Sequence, residues 1–331
     1  LKSIQIPDGK NSEEIWRIFD AICEDVKENE TIIFDITHGY RSIPFICFLA
    51  IGYLKQIKNV NVEKVVYGAF EARINNKTPI IDLTDFSTIF DWITAVNLFV
   101  QYSNAIQISK LVEETHQRLW KECKAKPKSL KPFSSKLKEL SNAIHLSRPI
   151  DSSKKAKEVI EIIPKVLNEL SFVPPLSKIL RMFEDFSRFA CNKPEKLNPE
   201  TLNSQLELIN YQMENELILQ AVELAREWLI NYCMYKLNYR IDEWLKRDVR
   251  ETMEKTLGAL IKKKRGEKYI PTGLMDLLNS IDNYEEVINM WNKLSQLRND
   301  LAHCGMSKEA RNINKIHKNA KEVVERLSKL L

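Results

Sequence analysis

The distribution of glycine restricts the fold of this chain more than any other feature. The 331 residues contain eight glycines, and none of them lies between Gly68 and Gly258. A long stretch without glycine favours helices, in which glycine is unfavourable. Apolar residues also recur at helical spacing from about Phe86 onward. The sequence therefore predicts a protein that is mostly helical.

The first part of the chain shows a different pattern, which is typical of an α/β sheet. Residues 13–27 predict an amphipathic helix, residues 31–36 a buried strand, residues 42–56 an apolar helix and residues 62–70 a second strand. This order of elements is typical of a parallel sheet. Because nothing before Ser12 provides the opening strands, we expect the chain to enter this sheet partway through.

The composition excludes a disordered chain and a membrane protein. Hydrophobic residues make up 44% of the chain and charged residues 29%, which are ordinary values for a soluble protein. No apolar run approaches the ~20 residues that span a bilayer. The six cysteines form no C-x-x-C pair and predict reduced thiols of a cytoplasmic protein. The chain begins with Leu1 and carries no signal peptide, so we expect its natural N-terminus to be missing.

The net charge of +5 is unevenly distributed along the chain. Residues 1–95 contain 10 Lys or Arg and 14 Asp or Glu, whereas residues 96–331 contain 40 and 31. The basic C-terminal part is the better candidate for contact with a polyanion. A solvated helical surface with surplus lysine explains the same charge.

A short turn at the end of the first predicted strand carries the first candidate site. Thr37, His38, Gly39 and Arg41 lie between this strand and the following helix. Parallel sheets bind ligands at the carboxyl ends of their strands, and a helix N-terminus favours an anion. Gly39 permits a tight turn, and the other three side chains add donors or positive charge. The turn therefore predicts an anion-binding site, although an ordinary turn with an incidental arginine fits the same residues.

The strings around this turn resemble the CARF domains of CRISPR-associated proteins. The resemblance covers roughly residues 1–95 and rests on FDITHGYRSIPF, VVYGAF, PIIDLTDF and DWITA, which follow one another in order. It implies a Rossmann-like domain that binds cyclic oligoadenylate at a dimer interface. It also implies ligand contacts by Thr37, His38, Gly39 and Arg41. The chain departs from the family in lacking the first strands of that domain and its other ligand-binding loop.

The second candidate site lies near the end of a predicted helix that starts at a capping-box-like DNYE string, residues 282–285. An apolar stripe runs along this helix and places Arg298 where a buried apolar residue is expected. Asn299 follows, and His303 lies in the last turn before Gly305, the expected end of the helix. A permanent cation close to a histidine suits metal-free RNA cleavage, since His303 could move a proton while Arg298 holds the phosphate. A structural polar contact is the alternative.

The string RNDLAH at residues 298–303 resembles the R-x4-6-H motif of HEPN ribonucleases. The resemblance implies a helical domain that pairs two such motifs across a dimer. Arg311 and His317 match the same spacing, but Arg311 is predicted to point away from the apolar stripe of its helix. We therefore interpret Arg311 and His317 as a solvated pair. Asn299 and Asp300 are expected to orient the Arg298 and His303 site.

These patterns together predict three parts: the C-terminal part of a Rossmann-like α/β CARF domain (1–90), an all-α connector (91–200) and an all-α HEPN domain (201–331). The activity that the two resemblances imply is cleavage of single-stranded RNA in type III CRISPR defence. Cyclic oligoadenylate is the expected activator, without metal or other cofactor. The expected partners are RNA, the activator and a second copy of the chain, in a homodimer or larger homo-oligomer without a membrane. Two alternatives remain: a non-catalytic sensing module, and a sensor that degrades its cyclic messenger.

Overall fold

The structure is a computed structural model that describes residues 2–38, 42–121, 126–171, 175–239, 243–306, 308 and 310–331. The protein is 67% helical and contains a small three-stranded mixed sheet, which confirms the predicted fold class. No described helix combines the length and the apolar character needed to cross a membrane. The chain divides into two compact units, Leu1–Ala95 with Leu170–Ile179, and Val96–Glu169 with Leu180–Leu331. The three-part division at residues 90 and 200 stays a prediction.

The first unit contains the sheet. Its described elements are α1 (Ser12–Asp25), β1 (Thr31–Asp35), α2 (Ser42–Ile57), β2 (Asn61–Gly68), a 3-10 turn (Phe70–Ala72), β3 (Ile80–Asp82), the start of α3 (Thr84–Tyr102) and most of α7 (Leu176–Leu180). The Asn11 side chain accepts a hydrogen bond from the Glu14 N–H and caps α1. The predicted parallel pairing is confirmed for β1 and β2. The strand β3 was not predicted from the sequence; it runs antiparallel to β2, because the short connection between them has no room for a crossover helix.

The prediction of a buried first strand is wrong. Residues of β1 alternate between exposed and half-buried positions. Ile32 and Phe34 pack onto a core formed by α1, α2 and the start of β2. Ile33 on the other face is 59% exposed. The reason is that β1 is an outer strand of the sheet and the described residues cover only one of its faces.

The second unit is entirely helical in its described residues. After the end of α3 it contains α4 (Ile106–Lys121), α5 (Leu130–His145), α6 (Pro149–Glu169), the end of α7 (Leu176–Leu180), a 3-10 helix (Arg181–Phe189), α8 (Pro199–Glu214), α9 (Ile218–Lys236), α10 (Arg247–Lys264), α11 (Met275–Asn279), α12 (Tyr284–Ala302) and α13 (Ile313–Leu327). The 3-10 helix buries Phe183, Phe186 and Phe189. A 3-10 helix has three residues per turn, so this spacing aligns the three rings on one side. α9 packs against α8, α12 and α13, and this packing positions the end of α12.

Candidate functional site

In the turn after β1, Thr37 makes hydrogen bonds to the last residues of two strands. Thr37 donates its backbone N–H to Asp35 Oδ1 at 2.9 Å. Its Oγ1 accepts the backbone N–H of Gly68, at the end of β2, at 2.7 Å. Thr37 therefore joins the carboxyl ends of the two parallel strands. His38 is exposed, while Gly39 and Arg41 lie outside the described residues. Ligand contact by these four residues stays a prediction.

Thr37 also affects two neighbours: it lowers the pKa of Asp35 and limits the space around Gly68. Hydrogen bonds from the Thr37 side chain and backbone hold the pKa of Asp35 below its usual range. The exposed Asp35 carboxylate therefore remains charged beside the predicted anion site. A Cβ at Gly68 would lie only 3.0 Å from Thr37 Cγ2. The close approach of the two strand ends thus favours glycine at position 68, because any Cβ there would press against the Thr37 side chain.

Arg298 lies on α12 with a carboxylate beside it. Its side chain is 44% exposed, and its Nε lies 3.3 Å from Glu223 Oε1 on α9. Nε is inaccessible to solvent and is not aligned for a hydrogen bond. The prediction that Arg298 occupies a buried position of the stripe is wrong, because Leu297 takes that position beside Leu294. Because α12 has 3.6 residues per turn, steps of three and of four residues both stay near one face of the helix, and here the buried residue after Leu294 is at position 297 rather than 298.

The start of α12 also differs from the sequence prediction. The N-cap residue is Asn283, with a φ of 63°, and no side-chain hydrogen bond caps the helix. The predicted capping box is therefore absent. A capping box needs an extended backbone at the N-cap residue, and the left-handed conformation of Asn283 does not provide it.

His303 ends α12 as its C-cap residue, and its side chain is exposed. Its backbone N–H donates to the carbonyl of Asn299, which is itself exposed. Beyond it, Cys304 donates to Leu301 O at 3.0 Å and Gly305 donates to Asp300 O at 3.2 Å. These two bonds form a Schellman motif. They hold the backbone on both sides of His303 in one conformation.

The predicted end of α12 is confirmed, with one difference. Gly305 has a φ of 68°, but the residue at the left-handed C′ position is Cys304, with a φ of 52°. A side chain at this position is strained by about 1–2 kcal/mol relative to glycine. The backbone next to His303 therefore carries strain that the surrounding contacts must offset.

The structure contradicts the interpretation of Arg311 as a solvated cation. Its side chain is 27% exposed, and Nη1 lies 3.2 Å from Oδ2 of Asp300. Nη2 donates to Gln296 Oε1 at 2.9 Å. Arg311 precedes α13 rather than lying on it, so the helical pattern used to place it does not apply. His317 lies on α13 and is half-buried.

A cavity next to Arg298, with both apolar and charged residues in its wall, is the feature that the sequence did not indicate. It has a volume of about 470 Å³ and is lined by Leu146, Ser147, Arg148, Pro149, Ile150, Asp151, Glu223, Leu224, Glu227, Asn231, Trp244, Leu245 and Arg250. Arg250 donates to Glu227 Oε2 at 2.6 Å and to Asn231 Oδ1 at 2.7 Å. Glu223 belongs to the wall and also contacts Arg298. From the sequence, one could expect Arg298 to have a carboxylate partner, but the sequence does not identify that partner as Glu223.

No group of three or more potential metal ligands among His, Cys, Asp and Glu is found within the described part of the chain. The five described cysteines, Cys23, Cys47, Cys191, Cys233 and Cys304, are free thiols. Burial raises the pKa of Cys47, and it raises that of Cys233 to about 12. These buried thiols therefore stay protonated and unreactive, while Cys304 is exposed. The absence of a cofactor stays a prediction.

Comparison with known proteins adds a relationship to CRISPR-associated proteins. The model of the second domain of CRISPR-associated protein MJ1674 matches residues 88–193, which extend from α3 to the 3-10 helix and its following turn. CRISPR-associated protein MJ1674 of Methanocaldococcus jannaschii is 28% identical over 186 residues, which cover 52% of this chain and 26% of that protein. The matched region thus spans about a quarter of the relative's length. By both comparisons, this chain resembles CRISPR-associated proteins of the MJ1674 type.

Proposed function

We propose that this protein is a metal-independent endoribonuclease of CRISPR defence that cleaves single-stranded RNA and is activated by cyclic oligoadenylate. The role in CRISPR systems is supported by the similarity to CRISPR-associated protein MJ1674. The activity is supported mainly by one observation: an exposed histidine, His303, ends α12, and a half-exposed arginine, Arg298, precedes it by five residues. The HEPN motif resemblance at residues 298–303 gives these residues their roles.

The chemistry requires a proton carrier and a cation. The 2′-oxygen of a ribose attacks the adjacent phosphorus, and the bond to the 5′-oxygen breaks. The products are a 2′,3′-cyclic phosphate and a 5′-hydroxyl. His303 moves a proton at one of the two oxygens. Arg298 stabilises the negative charge on the phosphorane oxygens, and Asn299 adds a hydrogen bond at the exposed helix end.

Both charged residues have surroundings compatible with these roles. The exposed imidazole of His303 can reach a flexible RNA strand. Glu223 lies against Nε of Arg298, which is inaccessible to solvent. The exposed part of Arg298 therefore belongs to its other atoms, which include the terminal nitrogens that would bind a phosphate. A second copy of the chain supplies the other histidine of a paired site, as the HEPN resemblance implies.

The turn after β1 is the proposed activator site. Thr37, His38, Gly39 and Arg41 precede the N-terminus of α2, where backbone N–H groups favour a phosphate. Cyclic oligoadenylate bound there by two copies of the chain would change the relative position of two distant nuclease sites. This is allosteric coupling between separate sites.

The test is an RNA cleavage assay in excess EDTA, with and without cyclic oligoadenylates of several ring sizes. Cleavage that one ring size stimulates is the expected result. A chain that binds the messenger and cuts no RNA would be a sensing module, and loss of the messenger itself would identify a messenger-degrading sensor. Cleavage that EDTA abolishes would contradict the metal-independent mechanism.

A further inference from the structure

Asp300 accepts hydrogen bonds from two parts of the connection between α12 and α13: from Gly305, just after α12, and from Arg311, just before α13. Its backbone carbonyl accepts the N–H of Gly305 at 3.2 Å. Its carboxylate accepts the backbone N–H of Arg311 at 3.3 Å and Nη1 of Arg311 at 3.2 Å. The Asp300 side chain is only 8% exposed. Among the described residues its ion-pair partner is Arg311, and a buried carboxylate depends strongly on such a partner.

Arg311 holds a second residue on the same side of α12. Its Nη2 donates to Gln296 Oε1 at 2.9 Å, and its Nη1 lies 3.3 Å from the Gln296 carbonyl oxygen. Gln296 and Asp300 are four residues apart, and His303 follows three residues later, so the three share one side of the helix. Arg298 lies about 140° around the helix from His303. Arg311 therefore contacts the side of α12 on which His303 lies, whereas Arg298 lies on a different side of the helix.

We infer that Arg311 is a positioning residue for His303 and acts through Asp300, an inference that rests on the proposed ribonuclease function. Arg311 closes the connection between α12 and α13, in which His303 is the first residue. Ser307 and Glu309 of this connection lie outside the described residues. Catalytic groups must be held to within about 0.5 Å. A displacement of about 1 Å costs roughly a hundredfold in rate.

The experiment combines RNA cleavage kinetics with amide hydrogen exchange in the full chain, using Arg311→Ala, Asp300→Asn and the double variant. The matched control is Arg326→Ala. Arg326 also joins α13 to α12, with Nη1 3.5 Å from Oε1 of Glu286, but near the other end of both helices. Arg311→Lys keeps the charge but cannot bind both Asp300 and Gln296 in the same way. It serves if Arg311→Ala fails to fold, and its kcat should be intermediate.

The expected results follow from a role through Asp300. Arg311→Ala and Asp300→Asn should each lower kcat about 10- to 100-fold with little change in KM. The double variant should be no slower than the slower single variant, because both changes remove the same contact. Exchange of the Cys304, Gly305 and Met306 amides should accelerate in these variants, but not in Arg326→Ala.

Three outcomes overturn the inference while leaving the proposed function intact. Losses that multiply in the double variant would mean that Arg311 acts independently of Asp300. Unchanged amide exchange in an active enzyme would remove the contact to Asp300 as the cause. A normal kcat with accelerated exchange would separate the contact from catalysis. If the wild-type protein cuts no RNA under any condition, the proposed function fails, and the positioning role fails with it.

Discussion

The two candidate sites lie at opposite ends of helices. The turn after β1 precedes the N-terminus of α2, whereas His303 follows the C-terminus of α12. Backbone N–H groups favour an anion at the first position, and backbone carbonyls favour a cation at the second. A phosphate is therefore assisted by the backbone in the proposed activator site and opposed by it in the proposed nuclease site. The proposed nuclease site is therefore expected to depend more heavily on side chains.

The largest effect is expected for His303→Ala. Loss of a proton carrier typically costs roughly 10²–10⁴ in rate, and the exposed position of His303 predicts an unchanged fold. The measurement is RNA cleavage in EDTA beside a melting curve. The control is His317→Ala, which should cleave at the wild-type rate. Inactive His317→Ala with active His303→Ala would mean that the other R-x4-6-H match carries the activity.

Arg298→Ala should produce the next largest effect. Removing one group that stabilises the transition-state charge costs about 10²–10³ in kcat. The control is Arg247→Ala, since Arg247 is 93% exposed on α10 and its loss changes the net charge equally. Single-turnover cleavage rates give the comparison. If the loss of cleavage rate in Arg298→Ala were smaller than the loss of activator affinity in Arg41→Ala, the expected difference between the two helix ends would be contradicted.

Arg41→Ala should weaken activation less. A charge-assisted contact to phosphate contributes about 1.5–3 kcal/mol, which is roughly ten- to a hundredfold in affinity. Half-saturation by cyclic oligoadenylate should rise, while the rate at saturation stays close to that of the wild type. Arg73→Ala is the control in the same unit. An unchanged half-saturation would exclude Arg41 from the activator site, and a lowered melting temperature would indicate a structural role.

Gly68→Ala tests how tightly β1 and β2 are joined beside the proposed activator site. The new Cβ would lie against Thr37, so overpacking should lower the free energy of unfolding by about 1–3 kcal/mol. Gly52→Ala is the control, because a Cβ there meets nothing within 4 Å on α2 and should instead raise helix stability by up to about 1 kcal/mol. Urea unfolding measures both. Equal stability of Gly68→Ala and the wild type would mean that the Thr37 contact adjusts freely.

Cys304→Gly should have the smallest effect and the opposite sign. Glycine removes the strain at φ 52°, but its greater backbone freedom also stabilises the unfolded chain. The net increase in the free energy of unfolding should be about 0.5–1 kcal/mol. Cys304→Ser removes the thiol while keeping the Cβ, so it should leave stability unchanged. The melting temperatures of the two variants decide. Stabilisation by serine would assign the effect to the thiol rather than to the backbone.

Local patterns predicted the elements better than their environments. The helix at residues 13–27 corresponds to α1, and the strands at residues 31–36 and 62–70 correspond to β1 and β2. The predicted burial of β1 was wrong, because burial depends on which elements cover the strand. The predicted exposure of Arg311 was wrong for a related reason: a helical pattern was applied to a residue outside the helix.

The sequence by itself determined that this protein is mostly helical with a small α/β part, and that both candidate sites lie at the ends of elements. These properties depend on residues within one or two turns of each other, so periodicity reveals them. Only the tertiary structure decided the partners of the candidate residues. Thr37 binds Gly68, Arg298 lies against Glu223, and Arg311 holds Asp300. Each of these contacts depends on how chain segments close and pack onto one another, which no local pattern specifies.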